Sequence, residues 1–490
     1  MTLWQKIQYY AELQPDNIAI FGEVETLTWS ELALKIVAVS QDVQALNSQV
    51  LAFYADNSPS WIIIDLACQL AGVTLLPLPI FFSEQQLQHT IEQSGATTVI
   101  HSADDRIAKL FKLPPSKTLV LEFVVSNINL PSAPPLPKNT GKITFTSGST
   151  GSPKGVCLSN EQQLVVADSL LKATALSTIK HLSILPFSTL LENIGGIYTS
   201  LLNGGSIVAL PQDRLGFNGS TGVEIWKLLD SINSYQPNSM ILLPELLMAL
   251  TKAIAQGWKP PPTLKFIAVG GSKVSPTLLQ QAHDVGLPVY EGYGLSECGS
   301  VVSVNTPRDN CLGSIGKALD HISVDIEDNE IVVSGNSFLG YINDPNSWAN
   351  PKVHTGDLGF LDDDGFLHIN GRKKNLLISS FGRNINPEWL ESELSSESLL
   401  QQCVVFGDAK PYCIALLWPR QESTKDSDIQ LWIDTINHSL PDYAQINNWA
   451  YLSEPLSIET GLMTSNGRPV RGRIEQQYQT TIEQLYQGTP

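Results

Sequence analysis

Hydrophobic and polar positions alternate between helical and strand-like spacing along the first 130 residues of the chain. The pattern predicts strands at residues 50–54 and 97–100, and helices at residues 60–71 and 85–93, the first of these helices ending before Gly72. Alternation of this kind predicts a parallel sheet with crossover helices. A proline-rich surface segment, residues 131–137, leads into the next part of the chain.

The same alternation continues over residues 160–305. We expect a helix over residues 161–175 with Asn160 as its N-cap, and strands at residues 206–210 and 265–269. Gly270, Gly271 and Ser272 follow the second of these strands directly. Ligands of open α/β sheets bind at the carboxyl ends of strands, so this turn is a candidate wall of a binding site. An ordinary tight turn explains it equally well.

The pattern changes after residue 310, where short strands and frequent turns predict an antiparallel region that resembles a small barrel. A further pattern of helices and strands begins near residue 376. We therefore predict an α/β fold with a large N-terminal domain, residues 1–371, built of αβ layers with mostly parallel sheets plus a small distorted β-barrel. A hinge at residues 372–375 and a small C-terminal α+β lid domain at residues 376–490 complete the prediction.

Composition narrows the class of protein. The chain has 490 residues, 42% of them hydrophobic, and its 48 acidic and 30 basic residues give a net charge of −18, which argues against a nucleic-acid partner. No two of the six cysteines have Cys-x2-Cys spacing, so reduced thiols are expected instead of a structural zinc site. The N-terminus predicts an amphipathic helix and not a signal peptide. Prolines interrupt the most apolar stretch, residues 61–82, so we expect no transmembrane segment. The reduced thiols fit a cytoplasmic protein, whose oligomeric state the sequence does not indicate.

The strongest candidate for chemistry is the segment ITFTSGSTGSPKG, residues 143–155, in which an apolar strand breaks into glycines and small hydroxyl residues. Glycine lets successive N–H groups point inward, and such groups form a concavity that binds anions. Lys154 adds a mobile point charge. We predict that a polyphosphate binds here, although a surface turn is the alternative. The common P-loop pattern does not fit, because Lys154 precedes a glycine and is followed by no hydroxyl. The predicted loop residues are Thr146, Ser147, Gly148, Ser149, Thr150, Gly151 and Lys154.

A second candidate is the segment YEGYGLSE, residues 290–297. Gly292 and Gly294 flank Tyr293 and leave its ring free to stack on a flat ring such as adenine. Ser296 and Glu297 then offer a hydroxyl and a carboxylate. A carboxylate beside phosphates needs a cation between them, and Mg²⁺ suits a site with few protein ligands.

Two further segments carry charged groups in polar surroundings. Asp357 follows Gly356 in a predicted loop, where one carboxylate can accept hydrogen bonds from both ribose hydroxyls, although an ordinary turn is the alternative. Near the C-terminus, residues 461–474 form a glycine-containing loop with Arg468, Arg471 and Arg473. Three arginines in one loop are unexpected in an acidic chain, although a solvated basic turn would also explain them.

Five separated motifs together resemble the adenylate-forming, or AMP-binding, superfamily of acyl- and aryl-CoA synthetases, luciferases and peptide-synthetase adenylation domains. The motifs lie at residues 146–155, 290–297, 354–359, 371–378 and 466–468, in the order found in that superfamily. The resemblance implies an AMP-forming acid–thiol ligase that uses ATP, Mg²⁺ and coenzyme A and has a mobile C-terminal domain.

The resemblance also implies a role for each matching residue. The loop ending at Lys154 would hold the β- and γ-phosphates of ATP, Ser296 the α-phosphate and Glu297 the magnesium ion. Lys154, Ser296, Glu297 and Arg468 would be the catalytic residues, and Lys374 would be the hinge. Tyr293 would pack on adenine, Asp357 and Arg372 would bind the ribose, and the remaining wall would come from Gly270, Gly271, Ser272, Glu291, Gly292 and Gly294.

The chain departs from the superfamily pattern in three places. Ser296 replaces a usual threonine, and Arg468 replaces the lysine that normally reaches the reacting carboxylate. Arginine is planar and bidentate, so either Arg468 does the work of the lysine with altered geometry or the adenylation step is slow. Ser188 and Thr189 stand where an aromatic residue or histidine is common, and we interpret Glu192 as a helix-start carboxylate favoured by the helix dipole.

The expected function is ATP-dependent activation of a fatty or aromatic carboxylic acid to an acyl-adenylate, with release of pyrophosphate, followed by transfer to the thiol of coenzyme A. Transfer to a carrier-protein phosphopantetheine or to an amine is the alternative within the same class. A non-catalytic nucleotide-binding homologue is the alternative from another class, and Arg468 is the one feature that favours it.

Overall fold

We analysed a computed structural model of the chain. It describes residues 1–102, 106–114, 116, 118–130, 134–146, 153–218, 222–380, 383–464 and 467–487. Its helices are α1 (Leu3–Leu13), α2 (Trp29–Ala45), α3 (Pro59–Ala71), α4 (Glu84–Ser94), α5 (Arg106–Leu110), α6 (Asn160–Thr174), α7 (Thr199–Asn203), α8 (Ile225–Tyr235), α9 (Pro244–Ala255), α10 (Pro276–Asp284), α11 (Pro387–Leu394), α12 (Asp426–Ser439), α13 (Arg471–Gln477) and α14 (Gln479–Gln487). A π-helix at Glu192–Tyr198 and 3₁₀ turns at Ser296–Cys298, Pro345–Ser347 and Asp442–Ala444 are also present.

The strands, in chain order, are β1 (Ile18–Gly22), β2 (Thr26–Thr28), β3 (Val50–Tyr54), β4 (Thr74–Pro77), β5 (Thr98–His101), β6 (Leu119–Val120), β7 (Phe123–Asn127), β8 (Lys142–Thr146), β9 (Lys154–Leu158), β10 (Lys180–Leu182), β11 (Ser206–Ala209), β12 (Phe217–Asn218), β13 (Gly222–Val223) and β14 (Ser239–Leu242). They continue with β15 (Phe266–Val269), β16 (Val289–Tyr293), β17 (Ser303–Val304), β18 (Lys317–Ala318), β19 (Ile322–Glu327), β20 (Glu330–Gly335), β21 (Gly340–Tyr341), β22 (Lys352–Leu361), β23 (Leu367–Arg372), β24 (Leu377–Ile378), β25 (Asn384–Ile385), β26 (Leu400–Phe406), β27 (Cys413–Pro419) and β28 (Ile446–Tyr451).

Two large sheets form the first part of the molecule. One has the order β18-β17-β16-β15-β14-β10-β11-β1-β2, and the run from β16 to β1 is parallel. The other has the order β21-β9-β8-β4-β3-β5-β7-β6, and its centre from β8 to β5 is parallel. Strands β19, β20, β22 and β23 add an antiparallel sheet. The α/β class with mostly parallel sheets is confirmed.

The last part of the chain has a core of its own. Two clusters of buried side chains there draw only on residues between Leu377 and Ile482, and they pack helices α11 to α14 around strands β26, β27 and β28. This arrangement fits the expected α+β lid. The boundary at residue 371 and the hinge at residues 372–375 stay predictions.

Three local expectations need correction. Ser159, not Asn160, caps α6, because its Oγ accepts from the N–H of Gln162 at 3.0 Å while the Gln162 side chain bonds back to the Ser159 N–H. Asp357 lies inside β22 and not in a loop. The sequence also predicts one helix over residues 474–486, and the structure divides this segment into α13 and α14 at Tyr478.

A buried polar network includes Lys142, the first residue of β8. The Lys142 ammonium lies 2.8 Å from Asp65 Oδ1 and donates to Tyr198 Oη at 2.8 Å, and Tyr198 in turn donates to Asp65 Oδ2 at 2.7 Å. All three side chains are buried. Because β8 ends at Thr146, this network fixes the strand that leads into the predicted phosphate-binding loop.

The sequence also predicts reduced cysteines and no transmembrane segment. All six cysteines are unpaired, and only Cys311 is not buried. None of the helices in the described ranges combines the length and the apolar character that a membrane crossing requires.

Candidate active site

The predicted phosphate-binding loop connects the two antiparallel strands β8 and β9. Thr146 and Lys154 lie opposite each other in this pair and form the two ends of the loop. The loop residues between them that we predicted to bind ATP lie outside the described residues, so their role stays a prediction: Ser147, Gly148, Ser149, Thr150 and Gly151.

Lys154 and Glu297 both contact the side chain of Tyr341. The Lys154 ammonium lies 5.0 Å from the ring centroid of Tyr341, and the Tyr341 hydroxyl donates to Glu297 Oε1 at 2.7 Å. Burial and then the charge of Glu297 raise the pKa of Tyr341, so the phenol stays a donor. Our sequence reasoning missed Tyr341. The structure therefore brings the predicted phosphate-binding cation and the predicted magnesium ligand to the same place.

Ser296 and Glu297 begin a 3₁₀ turn just after β16. The backbone turns sharply at Gly294, where an added Cβ would lie 1.8 Å from the carbonyl oxygen of Ser300. Only glycine fits this approach, because a clash with backbone cannot be relieved by a rotamer change. The half-buried Ser296 and Glu297 side chains are thus held at the carboxyl end of a central strand.

A second cluster joins Tyr293, Asp357 and Arg372. Arg372 Nε donates to Asp357 Oδ1 at 2.7 Å, and the Tyr293 hydroxyl donates to Asp357 Oδ2 at 2.6 Å. Asp357 and Arg372 are opposite each other on β22 and β23. Asp357 is only 3% exposed, and burial raises its pKa although Arg372 opposes this. The predicted adenine-packing and ribose-binding residues are therefore one connected group.

The Gly270-Gly271-Ser272 turn lies beside this group. An added Cβ at Gly270 would lie 2.7 Å from the carbonyl oxygen of Gly292, so the ends of β15 and β16 approach closely. Gly271 has a φ of 84°, which favours glycine. Glu291 lies in the neighbouring strand β16, where burial raises its pKa to about 8 and the charge of Lys273 opposes the shift.

Arg468 reaches this turn from the C-terminal part of the chain. Its Nη2 donates to the carbonyl oxygen of Gly271 at 2.9 Å. The residue as a whole is exposed, but protein atoms crowd its guanidinium, and this burial, followed by the charge of Arg372, lowers its pKa. Asp357 and Glu388 oppose the shift and are thus among its electrostatic neighbours. The residue that departs from the superfamily pattern therefore faces the predicted site.

The other two arginines of that loop have local roles. Arg471 forms a 2.5 Å ion pair with Glu391, and Arg473 donates to the carbonyl oxygen of Gly461 at 3.4 Å. Among these three arginines, Arg468 is the one whose side-chain hydrogen bond crosses to the first part of the molecule, which argues against a basic turn of solvated side chains.

Two predicted roles concern residues outside these clusters. Glu192 begins the π-helix and is buried, with its oxygens bonded to His181 Nε2 at 2.7 Å and to the Leu185 N–H at 3.0 Å. These contacts agree with a structural carboxylate. Lys374 lies in the turn after β23, and its role as a hinge stays a prediction.

One separate group of potential metal ligands exists among the described residues: Cys311, Asp362 and His368. His368 Nε2 lies 2.9 Å from Asp362 Oδ2, while Asp362 Oδ1 accepts from the N–H groups of Asp364 and Phe366. These hydrogen bonds occupy both oxygens of the Asp362 carboxylate. Packing of the turn between β22 and β23 therefore explains why the three side chains lie close together.

Comparison with known proteins identifies the family. Residues 7–342 match the family described as AMP-binding enzyme, and residues 374–490 match the AMP-binding enzyme C-terminal domain. The chain belongs to the AMP-binding enzyme family. The prediction of an adenylate-forming enzyme is confirmed.

Two relatives show how far the similarity in sequence extends. A 2-succinylbenzoate–CoA ligase from Bacillus velezensis is 28% identical over 426 residues, which cover 82% of this chain and 84% of that protein. The long-chain-fatty-acid–CoA ligase FadD15 from Mycobacterium bovis is 31% identical over 252 residues, covering 44% of this chain. The chain matches only 41% of the length of FadD15.

Solved structures share the fold at lower identity. O-succinylbenzoate CoA synthetase (MenE) from Bacillus subtilis, in complex with its acyl-adenylate, has a TM-score of 0.78 at 23% identity, covering 97% of this chain and 98% of its own. The structure of the same enzyme in complex with ATP and a magnesium ion also has a TM-score of 0.78. The amide bond synthetase McbA from Marinactinospora thermotolerans gives 0.77 at 18% identity, covering 98% of this chain and 100% of its own.

Proposed function

We propose that this protein uses ATP to convert a carboxylic acid into an acyl-adenylate and pyrophosphate, and then transfers the acyl group to the thiol of coenzyme A. The observation that carries the proposal is the contact between Arg468 and the Gly271 carbonyl beside the Tyr293–Asp357–Arg372 group. A cation from the C-terminal part is thereby placed next to the predicted nucleotide-binding residues.

The Asp357 carboxylate is suited to bind the ribose of ATP. Oδ1 accepts from Arg372 Nε at 2.7 Å, and Oδ2 accepts from the Tyr293 hydroxyl at 2.6 Å and from Arg372 Nη2 at 3.3 Å. A carboxylate has about four lone-pair sites, so one site stays available for a ribose hydroxyl, and exchange of the long 3.3 Å bond would free a second. Because its partners fix the carboxylate in place, little side-chain entropy is lost when ATP binds. The Tyr293 ring is fixed by the same bond and offers a flat surface for adenine.

Glu297 fits the requirements of a magnesium ligand. Tyr341 bonds to Oε1 alone, and the half-buried carboxylate lies near the Lys154 cation. Magnesium sites in nucleotide-binding proteins often use one or two carboxylates together with phosphate oxygens. When bound, the ion would neutralise phosphate charge; Glu297 would hold it, and Lys154 would bind the leaving phosphates.

The first reaction step joins two anions, so the protein must supply positive charge and orientation. A carboxylate oxygen of the acid attacks the α-phosphorus of ATP, and the bond from that phosphorus to the bridging oxygen breaks, so that pyrophosphate leaves. Arg468 and the Ser296 hydroxyl would stabilise the charge on the α-phosphate and on the attacking carboxylate. No general base is required, because the acid is already ionised at neutral pH.

In the second step, the thiol sulfur of coenzyme A attacks the carbonyl carbon of the adenylate and its proton passes to solvent, while the bond from that carbon to the phosphate oxygen breaks and AMP leaves. Relatives named as coenzyme A ligases support this acceptor. An amine would follow the same bond changes, and a carrier-protein thiol would as well. We propose an aromatic or fatty acid as substrate, since relatives are named for 2-succinylbenzoate, long-chain fatty acids and ferulate.

Acid-dependent release of pyrophosphate from ATP tests the proposal. The panel should contain 2-succinylbenzoate, ferulate and medium- and long-chain fatty acids, first without an acceptor and then with coenzyme A or simple amines. We expect one acid to release pyrophosphate and coenzyme A to give a thioester. If ATP binds but every acid is inert, the chain is a non-catalytic homologue. Amide formation with no thioester would instead identify an amide-forming ligase.

A further inference from the structure

Helix α11 contacts the first part of the molecule along the segment that carries the Gly271 carbonyl. Glu393 Oε2, near the end of α11, lies 3.4 Å from both Ser275 Oγ and Thr277 Oγ1. We call these three residues together with Lys273 the seam. The seam begins two residues after Gly271, so it lies beside the site described above.

Lys273 gives the seam its charge complementarity. Its ammonium is removed from water, which lowers its pKa, and the charges of Glu291, Glu388 and Glu393 oppose that shift. Two of these three carboxylates belong to α11. For Glu393, burial raises the pKa, and the two hydroxyls and Lys273 oppose it. Lys273 is thus an electrostatic neighbour of carboxylates on α11, and such attraction is screened less in a partly buried place than at an open surface. The contacts that join the two segments are those of Glu393 with Ser275 and Thr277.

The same helix also holds the loop that carries Arg468. Glu391 of α11 forms the 2.5 Å ion pair with Arg471, three residues after Arg468, and Arg471 Nη1 donates to the Val405 carbonyl at 2.9 Å. Glu391 also accepts from the Val405 N–H at 2.7 Å. Helix α11 therefore connects the seam at one residue to the Arg468 loop at another, and its placement sets the placement of Arg468.

We propose that Glu393 and Lys273 are positioning residues that hold α11 against residues 273–277 and so keep the Arg468 guanidinium at the Gly271 carbonyl. Neither residue touches the reacting atoms. The catalytic part of this inference rests on the proposed function, in which Arg468 acts on the α-phosphate of ATP. A displacement of about 1 Å in such a group can lower a rate about a hundredfold.

A docking measurement independent of activity tests the seam. Lys252 Nζ lies 3.3 Å from Ser398 Oγ and forms a second contact between the two parts of the chain. The substitutions Lys252→Cys and Ser398→Cys provide two thiols that a short bis-maleimide can join. Both are made in a Cys311→Ser background, which removes the one cysteine that is not buried. The rate of cross-linking then reports how often the two parts are docked. The test variants are Glu393→Ala, Glu393→Gln and Lys273→Met, and Glu397→Ala is the control, because Glu397 is an exposed carboxylate just beyond the same helix.

We expect cross-linking to slow about tenfold in Glu393→Ala and in Lys273→Met, and adenylate formation to slow by at least the same factor. Glu393→Gln keeps an acceptor for the two hydroxyls, so its cross-linking rate should lie between those of Glu393→Ala and the parent. The cross-linking rate of Glu397→Ala should equal that of the parent. Parent-like cross-linking in both Glu393→Ala and Lys273→Met would overturn the proposal whatever the activity. If no acid is activated by the parent but cross-linking still depends on Glu393 and Lys273, the seam stands and the proposed function fails.

Discussion

Arg468 donates a 2.9 Å hydrogen bond to the carbonyl oxygen of Gly271, a residue that precedes it by 197 positions. The bond brings the C-terminal part of the chain to the site, since Gly271 lies two residues after β15, which pairs with the Tyr293 strand β16. A lysine at the same position would present a single ammonium group. The planar guanidinium can hold the carbonyl with one nitrogen and present the others to substrate.

Replacing Arg468 tests whether it takes the role of the usual lysine. We expect Arg468→Ala to slow adenylate formation by about a hundredfold or more, in line with the loss of one stabilising donor at a developing charge. Arg468→Lys should recover part of the rate, because the charge returns without the forked geometry. Single-turnover pyrophosphate release measures both. Arg473→Ala, which removes an arginine bonded within its own loop, is the matched control. Equal rates for Arg468→Ala and the parent would show that Arg468 is not catalytic.

The hydroxyl of Tyr293 gives a second prediction. Tyr293→Phe keeps the ring and removes only the 2.6 Å bond to the buried Asp357 carboxylate. Loss of a hydrogen bond to a charged group costs about 1.5–3 kcal/mol, so KM for ATP should rise roughly tenfold or more while kcat changes little. Tyr10→Phe, which removes from helix α1 a hydroxyl bonded to the Leu202 carbonyl, is the matched control. A Tyr293→Phe enzyme with the parental KM for ATP would contradict the role of this bond.

Tyr341 and Glu297 can be separated by two conservative changes. Glu297→Gln removes the carboxylate charge, and we expect the Mg²⁺ concentration for half-maximal activity to rise about tenfold or more. Tyr341→Phe keeps the ring over which Lys154 lies and frees Glu297 Oε1. This variant should therefore need no more Mg²⁺ than the parent. Titration of pyrophosphate release with Mg²⁺ measures both, and an unchanged requirement in Glu297→Gln would remove Glu297 as the metal ligand.

Elements with local signals could be predicted from the sequence. Strand β3 has the expected bounds and helix α3 begins one residue before its expected start, because an apolar run and the proline that begins the helix are local features. Ser159 could also have been recognised as the cap of α6, since Gln162 three residues later completes a capping box. The glycine before Asp357 predicts a loop, yet Gly356 adopts a φ of 72° within β22 without ending the strand.

The missed parts of the site depend on contacts between distant segments. Nothing beside Tyr341 in the sequence indicates that its hydroxyl bonds Glu297, 44 positions away. Likewise, a basic loop predicts no partner, and the Arg468–Gly271 bond exists only because the two parts of the chain pack together. Resemblance to a family supplied roles for both Glu297 and Arg468, but it could not supply Tyr341 or the seam.

The buried Lys142–Asp65 pair gives a prediction about stability. Lys142→Met leaves the Asp65 charge buried and without its cation, which should lower the free energy of unfolding by about 3–5 kcal/mol. The double variant Lys142→Met with Asp65→Asn should recover a large part of this loss, since no charge is then left uncompensated. Lys172→Met, which breaks an exposed pair with Asp168, should cost much less, because water screens that pair. Urea unfolding followed by tryptophan fluorescence measures all three, and equal costs for Lys142→Met and Lys172→Met would contradict this account.

Glu291 should make stability depend on pH. Burial raises its pKa to about 8 from an ordinary value of 4.5, so between these values the folded chain holds a proton that the unfolded chain has released. The free energy of unfolding should therefore fall as pH rises through this range, by up to about 1.4 kcal/mol per pH unit. Glu291→Gln cannot release a proton and should lack this part of the slope. Urea unfolding of parent and variant between about pH 5 and about pH 8 gives the difference, and identical slopes would show that Glu291 does not titrate in this range.

The most direct test of the central claim is the exchange of labelled pyrophosphate into ATP in the presence of each candidate acid, because exchange requires reversible formation of the adenylate and no acceptor. Exchange that depends on one acid, and that Arg468→Ala and Glu297→Gln both suppress, is the result we predict. Binding of ATP with no exchange for any aromatic or fatty acid would contradict it.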